Sequence, residues 1–340
     1  MRVESWLFPK NGSRSRLRWS LWSLVLLVSA GCAPREEGPG DVSAFPSRAI
    51  TLICPWGEGG GTDRLSRFMA AQLERRLGKP VQVVNRTGGG GAVGHRAGAE
   101  ARADGHTVLM GTFELSTMRS MGLSPLGYED YVPLMQLNAD AAAFIVAEDS
   151  PLQSVDALIS LAKREPGRLK FSGTAAGGAW DLARVGFQLA VGLPVDAIVW
   201  TPTDGSAASV RDLLGGHIDG VCVSLPEASS QIESGALRPL AVMSTERLDD
   251  YPDCPTLLES GVEWTAVGWR GLFLPKETPP EIVESWMQAL REITQSDAFA
   301  EFMALNQFAV ALREGAEFEA FLAEQDQQWQ GVIEAGGFAP

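Results

Sequence analysis

This sequence predicts an α/β protein of two lobes, each a mainly parallel sheet flanked by helices, hinged around a cleft. Three observations carry that prediction. Strand-like and helix-like segments alternate from residue 50 to 146, the signature of a parallel sheet. A second alternation starts after Asp149-Ser150-Pro151 and runs to residue 243. The roughly 300 residues behind the amino-terminal leader also exceed what one core usually holds, so two domains are expected.

In the first run, 50–55 reads as an apolar strand, 62–77 as a helix, 81–85 as a β-branched strand and 92–102 as an alanine-rich helix. Strands at 107–110 and 142–146 complete it. The second run reads as helix 154–163, strand 169–172, helix 180–191, strand 197–199 and helix 207–214. Strand 221–223, helix 226–234 and strand 239–243 follow. Residues 267–275 form a candidate strand pair crossing back toward the first lobe. Three helices close the chain. Pro279-Pro280-Glu281 opens the first of them, with prolines where missing amides do no harm and an acid that suits the helix dipole. The last runs from 317 to about 334, with Phe318, Phe321, Leu322, Trp329 and Ile333 spaced as one buried stripe, core rather than cofactor contacts. The expected division is a leader at 1–31, a tether at 32–46, one lobe from 47–147 with 265–340, and the other from 148–264. Two crossings make a hinge with a cleft, where small molecules usually bind.

The most informative stretch is Ile53-Cys54-Pro55-Trp56-Gly57-Glu58-Gly59-Gly60-Gly61-Thr62-Asp63. A strand stops at a proline, glycines follow, and a helix begins. A helix start leaves its first amides unpaired and carries roughly half a positive charge, so a glycine approach admits a small anion to the main chain. No basic side chain lies in the motif, which suits a neutral cradle for a carboxylate; a tight turn would use the same glycines. Asn85-Arg86-Thr87-Gly88-Gly89-Gly90-Gly91-Ala92-Val93-Gly94 repeats the pattern. So do Ser172-Gly173-Thr174-Ala175-Ala176-Gly177-Gly178-Ala179-Trp180-Asp181 and Trp200-Thr201-Pro202-Thr203-Asp204-Gly205-Ser206-Ala207. At the carboxyl ends of parallel strands, four such loops would face one another across the cleft.

The amino terminus indicates the compartment. Arg14, Arg16 and Arg18 precede an apolar run at 21–28, too short for an ordinary span of ~20 residues and suited to a signal peptide. Ser29-Ala30-Gly31-Cys32 resembles a bacterial lipobox, with Cys32 as the acylated first residue and Ser29 departing from the usual leucine. Residues 33–40 then read as a tether to the membrane surface. A secretory peptide cut at the small residues nearby is the alternative. Either way the expected location is the periplasm. Cleavage after residue 31 removes five basic groups and one acidic group from the 28 and 42 of the whole chain, leaving a formal charge of −18. That surface repels nucleic acid and gives no long-range attraction to an anion, so anion recognition must be local. Cys54, Cys222 and Cys254 lack metal-ligand spacing; the first two read as core residues, and a single disulfide involving Cys254 stays open.

Enzyme readings find little support. Residues 89–94 satisfy G-x-G-x-x-G, but the nearest acid, Asp104, comes too early for the ribose of a dinucleotide. No nucleophile elbow or H-E-x-x-H helix is present, and His95, His106 and His217 each sit among glycines without metal-ligand spacing. No catalytic residue, metal or cofactor is expected. A nicotinamide-dependent oxidoreductase remains as the enzyme alternative.

Taken in order, Phe45-Pro46-Ser47-Arg48, the loops at 55–63 and 85–94, Gly105-His106-Thr107, Leu213-Leu214-Gly215-Gly216-His217-Ile218-Asp219, and residues 271–280 resemble the extracytoplasmic solute-binding component of the tripartite tricarboxylate transporters, also called Bug proteins. The resemblance covers nearly everything from Phe45 onward. It implies a two-lobed "Venus flytrap" of the periplasmic-binding-protein kind, a monomer that captures a small carboxylate and presents it to membrane subunits. It further implies that Gly59, Gly60, Gly61 and Thr62 hold one carboxylate, partly through water, with Trp56, Asp63, Gly91 and Ala92 nearby. Thr112, Thr174, Gly177, Gly178, Asp181, Thr203, Gly205 and Ser206 would complete the pocket. A carboxylate-sensing receptor acting through a membrane sensor would share these features, and adjacent genes would separate the two.

One departure bears on the ligand. Where many relatives carry a histidine, this chain has Trp180-Asp181-Leu182. An acid facing a ligand carboxylate repels it, so Asp181 is either a helix cap turned away or a partner for a cation, and Glu58 and Glu114 raise the same question. The expected ligands are a dicarboxylate, a tricarboxylate, an aromatic acid or an amino acid.

Overall fold

The computed structural model describes residues 45–340. The leader, Cys32 and the tether up to residue 44 lie outside the described residues. Among the described residues no helix is long and apolar enough to cross a membrane.

The first alternation folds as read. Strands β1 (Ile50–Cys54), β2 (Val81–Asn85) and β3 (Thr107–Thr112) pair in parallel, connected by helices α1 (Gly61–Leu77) and α2 (Ala92–Ala99). After β4 (Tyr131–Ala147) the second alternation builds α3 (Val155–Arg164), β5 (Leu169–Ser172), α4 (Ala179–Ala190), β6 (Ile198–Trp200), α5 (Ser206–Leu214) and β7 (Gly220–Ser224). There β5 pairs in parallel with β6 and β7. The chain continues through α6 (Ser229–Glu233), β8 (Leu237–Val242), β9 (Val267–Pro275), α7 (Pro280–Thr294), α8 (Asp297–Leu305), β10 (Val310–Glu314), α9 (Gly315–Gln328) and α10 (Gln330–Ala335).

Among the described residues all ten strands belong to one sheet, ordered β2-β1-β3-β9-β4-β7-β5-β6, with β8 and β10 both on β4. Read from either edge the order repeats, so each half holds three parallel strands and one long central strand. Each half keeps the expected parallel trio, and the sheet as a whole is mixed because β4 and β9 run antiparallel to each other and to their other neighbours. Only residues 142–146 of the 17-residue β4 were expected as strand. Its earlier part carries buried Gln136, Asn138 and Asp140; Gln136 and Asp140 meet Arg313 and Arg270 far along the chain, and Asn138 donates to Asp140. Residues 267–275 make one strand, not a pair. Gly271 there lets two layers meet, since an added Cβ would stand 2.8 Å from the Phe318 ring and 2.9 Å from the Met135 carbonyl.

Under the first half, Leu65, Met69 and Leu73 of α1 pack with Trp286, Leu290 and Ile293 of α7. In the second, Phe144, Phe171 and Phe187 stack edge to face, with centroids 5.8 and 4.7 Å apart. The stripe expected of one helix at 317–334 is kept, with Phe318, Leu322, Trp329 and Ile333 buried. The helix itself breaks at Trp329, whose ring meets Phe113 at 4.8 Å and Trp264 at 5.8 Å. The helix expected at 226–234 shortens to a 3-10 turn, Leu225–Glu227, and α6. Cys54, Cys222 and Cys254 are all buried free thiols.

Candidate ligand-binding cleft

The first helix of each half begins on the same backbone. Before α1, Gly59 takes φ +82° and Gly60 caps in an extended conformation (φ −75°, ψ 172°). Before α4, Gly177 takes φ +71° and Gly178 repeats the cap (φ −71°, ψ 173°). A carboxylate braces each turn from inside the helix: Asp63 Oδ2 accepts the Gly59 amide and Asp181 Oδ2 the Gly177 amide, both at 2.9 Å. Each aspartate then pairs with an arginine on its own helix. Arg67 Nε donates to Asp63 at 2.9 Å, and Arg184 Nη2 to Asp181 at 2.6 Å.

Between these helix starts lies a cavity of about 40 Å³, the scale of a carboxylate group or a few waters. The halves touch directly around it. The Gly57 amide donates to the Asp204 carbonyl at 2.9 Å, and Arg64 Nη2 to the Pro226 carbonyl at 2.7 Å. The cleft is therefore shut. Trp56, Gly60, Gly61, Thr62, Thr112, Thr174, Gly205 and Ser206 of the sequence-named residues line the cavity. At the start of α1, the amides of Gly61 and Thr62 bond no acceptor among the described residues. They are the unpaired donors that a helix start supplies.

The other named residues stand behind the lining. Asp63 and Asp181, named as ligand contacts, are turned away: both oxygens of each are engaged by amides, by Asn85 or by the partner arginine. Asp181 is thus both the turned-away cap and the partner of a cation, and that cation is Arg184. Gly59 and Gly177 supply the positive φ of the turns, and Gly178 is a helix cap. The Thr203 amide donates to the Thr174 carbonyl at 3.0 Å, joining two loops of one half. Gly91 and Ala92 begin α2, where Gly91 O receives His95 Nδ1 at 2.8 Å. Glu58 is exposed, 3.7 Å from Arg67.

Two charged clusters escaped the sequence reading. Arg270 of β9 is buried in the cavity wall and spends its donors on Thr62 Oγ1 (2.9 Å), Asp140 Oδ2 (2.7 Å) and Glu227 Oε1 (3.0 Å). Burial opposes its charge, but Glu227 and Asp140 overcome that and hold the guanidinium protonated. The signal was present: Arg270 and Asp140 are each a lone charge in an apolar strand, a pattern that calls for a buried partner. Glu227 ends a Ser-x-x-Glu capping box after β7.

The second cluster centres on Glu114, in the 3-10 turn Phe113–Ser116 after β3. Its Oε1 reaches across the cleft to accept the Ala179 amide at the start of α4, at 3.0 Å. Its Oε2 bonds the Thr112 hydroxyl, which also accepts from Trp56 Nε1 at 3.2 Å. The Thr112 amide donates to Nε2 of the fully enclosed His95 at 3.2 Å. Burial pushes the Glu114 carboxyl up and holds the His95 imidazole down at about 4. Among the described residues no group of histidines, cysteines and acids is arranged to hold a metal.

Known proteins share this architecture. Residues 65–338 match the tripartite tricarboxylate transporter family receptor. The Bordetella pertussis protein BugT is 33% identical over 92% of this chain and 95% of its own. The periplasmic binding protein BugD matches with a TM-score of 0.80 at 26% identity, over 87% of this chain and 99% of that one. An R. palustris protein solved with adipate matches with the same score at 28% identity and the same coverage. A Polaromonas TctC solute-binding protein solved without ligand is 32% identical, with a TM-score of 0.62 over 85% of this chain and 99% of that one. With a matching domain across most of its length and a relative this similar end to end, the chain belongs to the tripartite tricarboxylate transporter receptor family.

Proposed function

We propose that this chain is the extracytoplasmic receptor of a tripartite tricarboxylate-type transporter. In this reading a small carboxylate-bearing solute is captured between the lobe of 47–147 with 265–340 and the lobe of 148–264, then passed to membrane subunits. The unpaired start of α1, aimed into the cavity opposite α4, is the observation that carries it. Free amides at a helix start favour a carboxylate without any net positive charge on the protein, which suits a chain of formal charge −14. The adipate-bound relative supports the ligand class. Acylation at Cys32 would tether the receptor in the periplasm.

Trp56, Trp180 and Trp269 line the cavity, so ligand entry should alter tryptophan emission. Titration with mono-, di- and tricarboxylates, aromatic acids and amino acids should give a saturable change with at least one of them. The same change should fade when Gly61 becomes alanine, because the new Cβ would stand 2.8 Å from Arg270 Nη2 and 2.9 Å from Glu227 Oε1 in the shut cleft. A flat response across the whole panel would overturn the reading.

A further inference from the structure

We propose that Glu114 makes this receptor selective for ligands with one carboxylate and a cationic nitrogen at the far end, the carboxylate on the start of α1 and the nitrogen against Glu114 at the start of α4. The inference rests on the carboxylate-receptor reading above and narrows it.

The two helix starts are alike in backbone but not in occupancy. At α1 the amides of Gly61 and Thr62 are open among the described residues, whereas at α4 the Ala179 amide already holds Glu114 Oε1 at 3.0 Å. The chain's own carboxylate fills the seat that a second ligand carboxylate would need. Beside it, the hydroxyl of Thr174, a cavity-lining residue only 7% exposed, finds no partner among the described residues. An added Cβ on Gly178 would stand 2.7 Å from this hydroxyl oxygen and 3.4 Å from Glu114 Oε1, so both oxygens crowd one point. An ionised carboxylate has about four lone-pair sites. Glu114 uses two, on Ala179 and Thr112.

The charge census points the same way. Arg270 is the one cation lining the cavity among the described residues, and Thr62, Asp140 and Glu227 each take a donor from one of its three nitrogens. Among the cavity-lining residues two carboxylates, Glu114 and Glu227, stand against one guanidinium; behind the wall Asp140 is offset by Arg64. Burial pushes the Glu114 carboxyl up, and a facing ammonium would pull it back toward the ionised form. A dicarboxylate would add a like charge at close range, while an ammonium brings three donors to unfilled acceptors.

Calorimetric titration of the whole protein at neutral pH, with probes matched in carbon number, tests this. Succinate is set against 4-aminobutyrate, and adipate against 6-aminohexanoate, on the wild type and on Glu114→Gln, which keeps an oxygen for Ala179 but removes the charge. In at least one pair the amino acid should bind the wild type about tenfold tighter or more, and Glu114→Gln should cut that ratio by about tenfold. A tighter dicarboxylate in the wild type, or a ratio unchanged in a variant that melts with the wild type, overturns the proposal. If the variant does not fold, the wild-type ratio decides. If the fluorescence panel yields a binder but neither amino acid binds, the selectivity falls and the receptor reading stands; if nothing in the panel binds, both fall.

Discussion

The starts of α1 and α4 share a left-handed glycine, an extended glycine cap and an aspartate reaching back to the turn's amide, yet the two are set in different surroundings. Around α1 the aspartate's arginine, Arg67, is half exposed and the end of the helix is open. Around α4 the arginine, Arg184, is buried at 4% exposure and also donates to the Val195 and Ile198 carbonyls, each at 2.8 Å. There Glu114 covers the end. The second helices differ similarly. His95, four residues after the Gly91 cap of α2, anchors Thr112, while its counterpart Ser209, four after the Gly205 cap of α5, links the hydroxyls of Ser172 (2.8 Å) and Thr203 (2.7 Å). Backbone shape is shared between the halves, and side-chain chemistry is not. One half can therefore stay rigid while the other presents an open anion seat.

Removing the arginines tests this difference most severely. Arg184→Ala strands a buried Asp181 and two carbonyls and should cost about 3–5 kcal/mol in denaturant unfolding, whereas Arg67→Ala should cost about 1 kcal/mol or less. Equal losses would abolish the distinction between a buried and an exposed brace.

Acid should separate the second helices. Burial holds the His95 imidazole at about 4, below the ordinary value near 6.5, so its contribution is complete above pH 6.5 and is lost as pH falls toward 4. The full loss is on the order of 3 kcal/mol. His95→Gln should flatten that part of the stability profile, since a glutamine, like Ser209, does not titrate. The buried acids whose carboxyls are pushed up, Glu114, Asp140 and Asp181, act in the opposite direction in both proteins and drop out of the difference. Parallel profiles would show that His95 is not held neutral.

The smallest effects belong to the turn glycines. Gly59→Ala meets only the Ala207 methyl at 3.9 Å, so it should lose about 1 kcal/mol from its left-handed backbone. Gly177→Ala adds a methyl 1.9 Å from the end of Met121 and should cost about 2 kcal/mol or more. Thermal unfolding of the two variants side by side would sharpen the contrast between a solvent-side turn and a packed one.

Much of the fold was legible because it is local. The alternation of strands and helices depends on apolar periodicity, and each helix start on glycines next to a proline or a small residue. What escaped was β4 and the acids of the cleft. Gln136, Asn138 and Asp140 break the apolar pattern of a strand that is nonetheless buried, and β10 is an edge strand with three of its five residues exposed. Of the residues named for the site, half line the cavity, from Trp56 and the start of α1 to Thr112, Thr174 and the start of α5. Asp63 and Asp181 do not, because the same residue type that could face a ligand serves better as a brace for the turn that precedes it.

The sequence alone determined where amides would be left free, since glycine permits a left-handed turn and every helix start has unpaired donors whatever surrounds it. Only the tertiary structure decided which charges meet those amides. Glu114 reaches Ala179 across 65 residues, and Arg270 meets Asp140 across 130. Pairing over such separations is set by how the halves of the sheet close on each other, and no local pattern of residues encodes that closure.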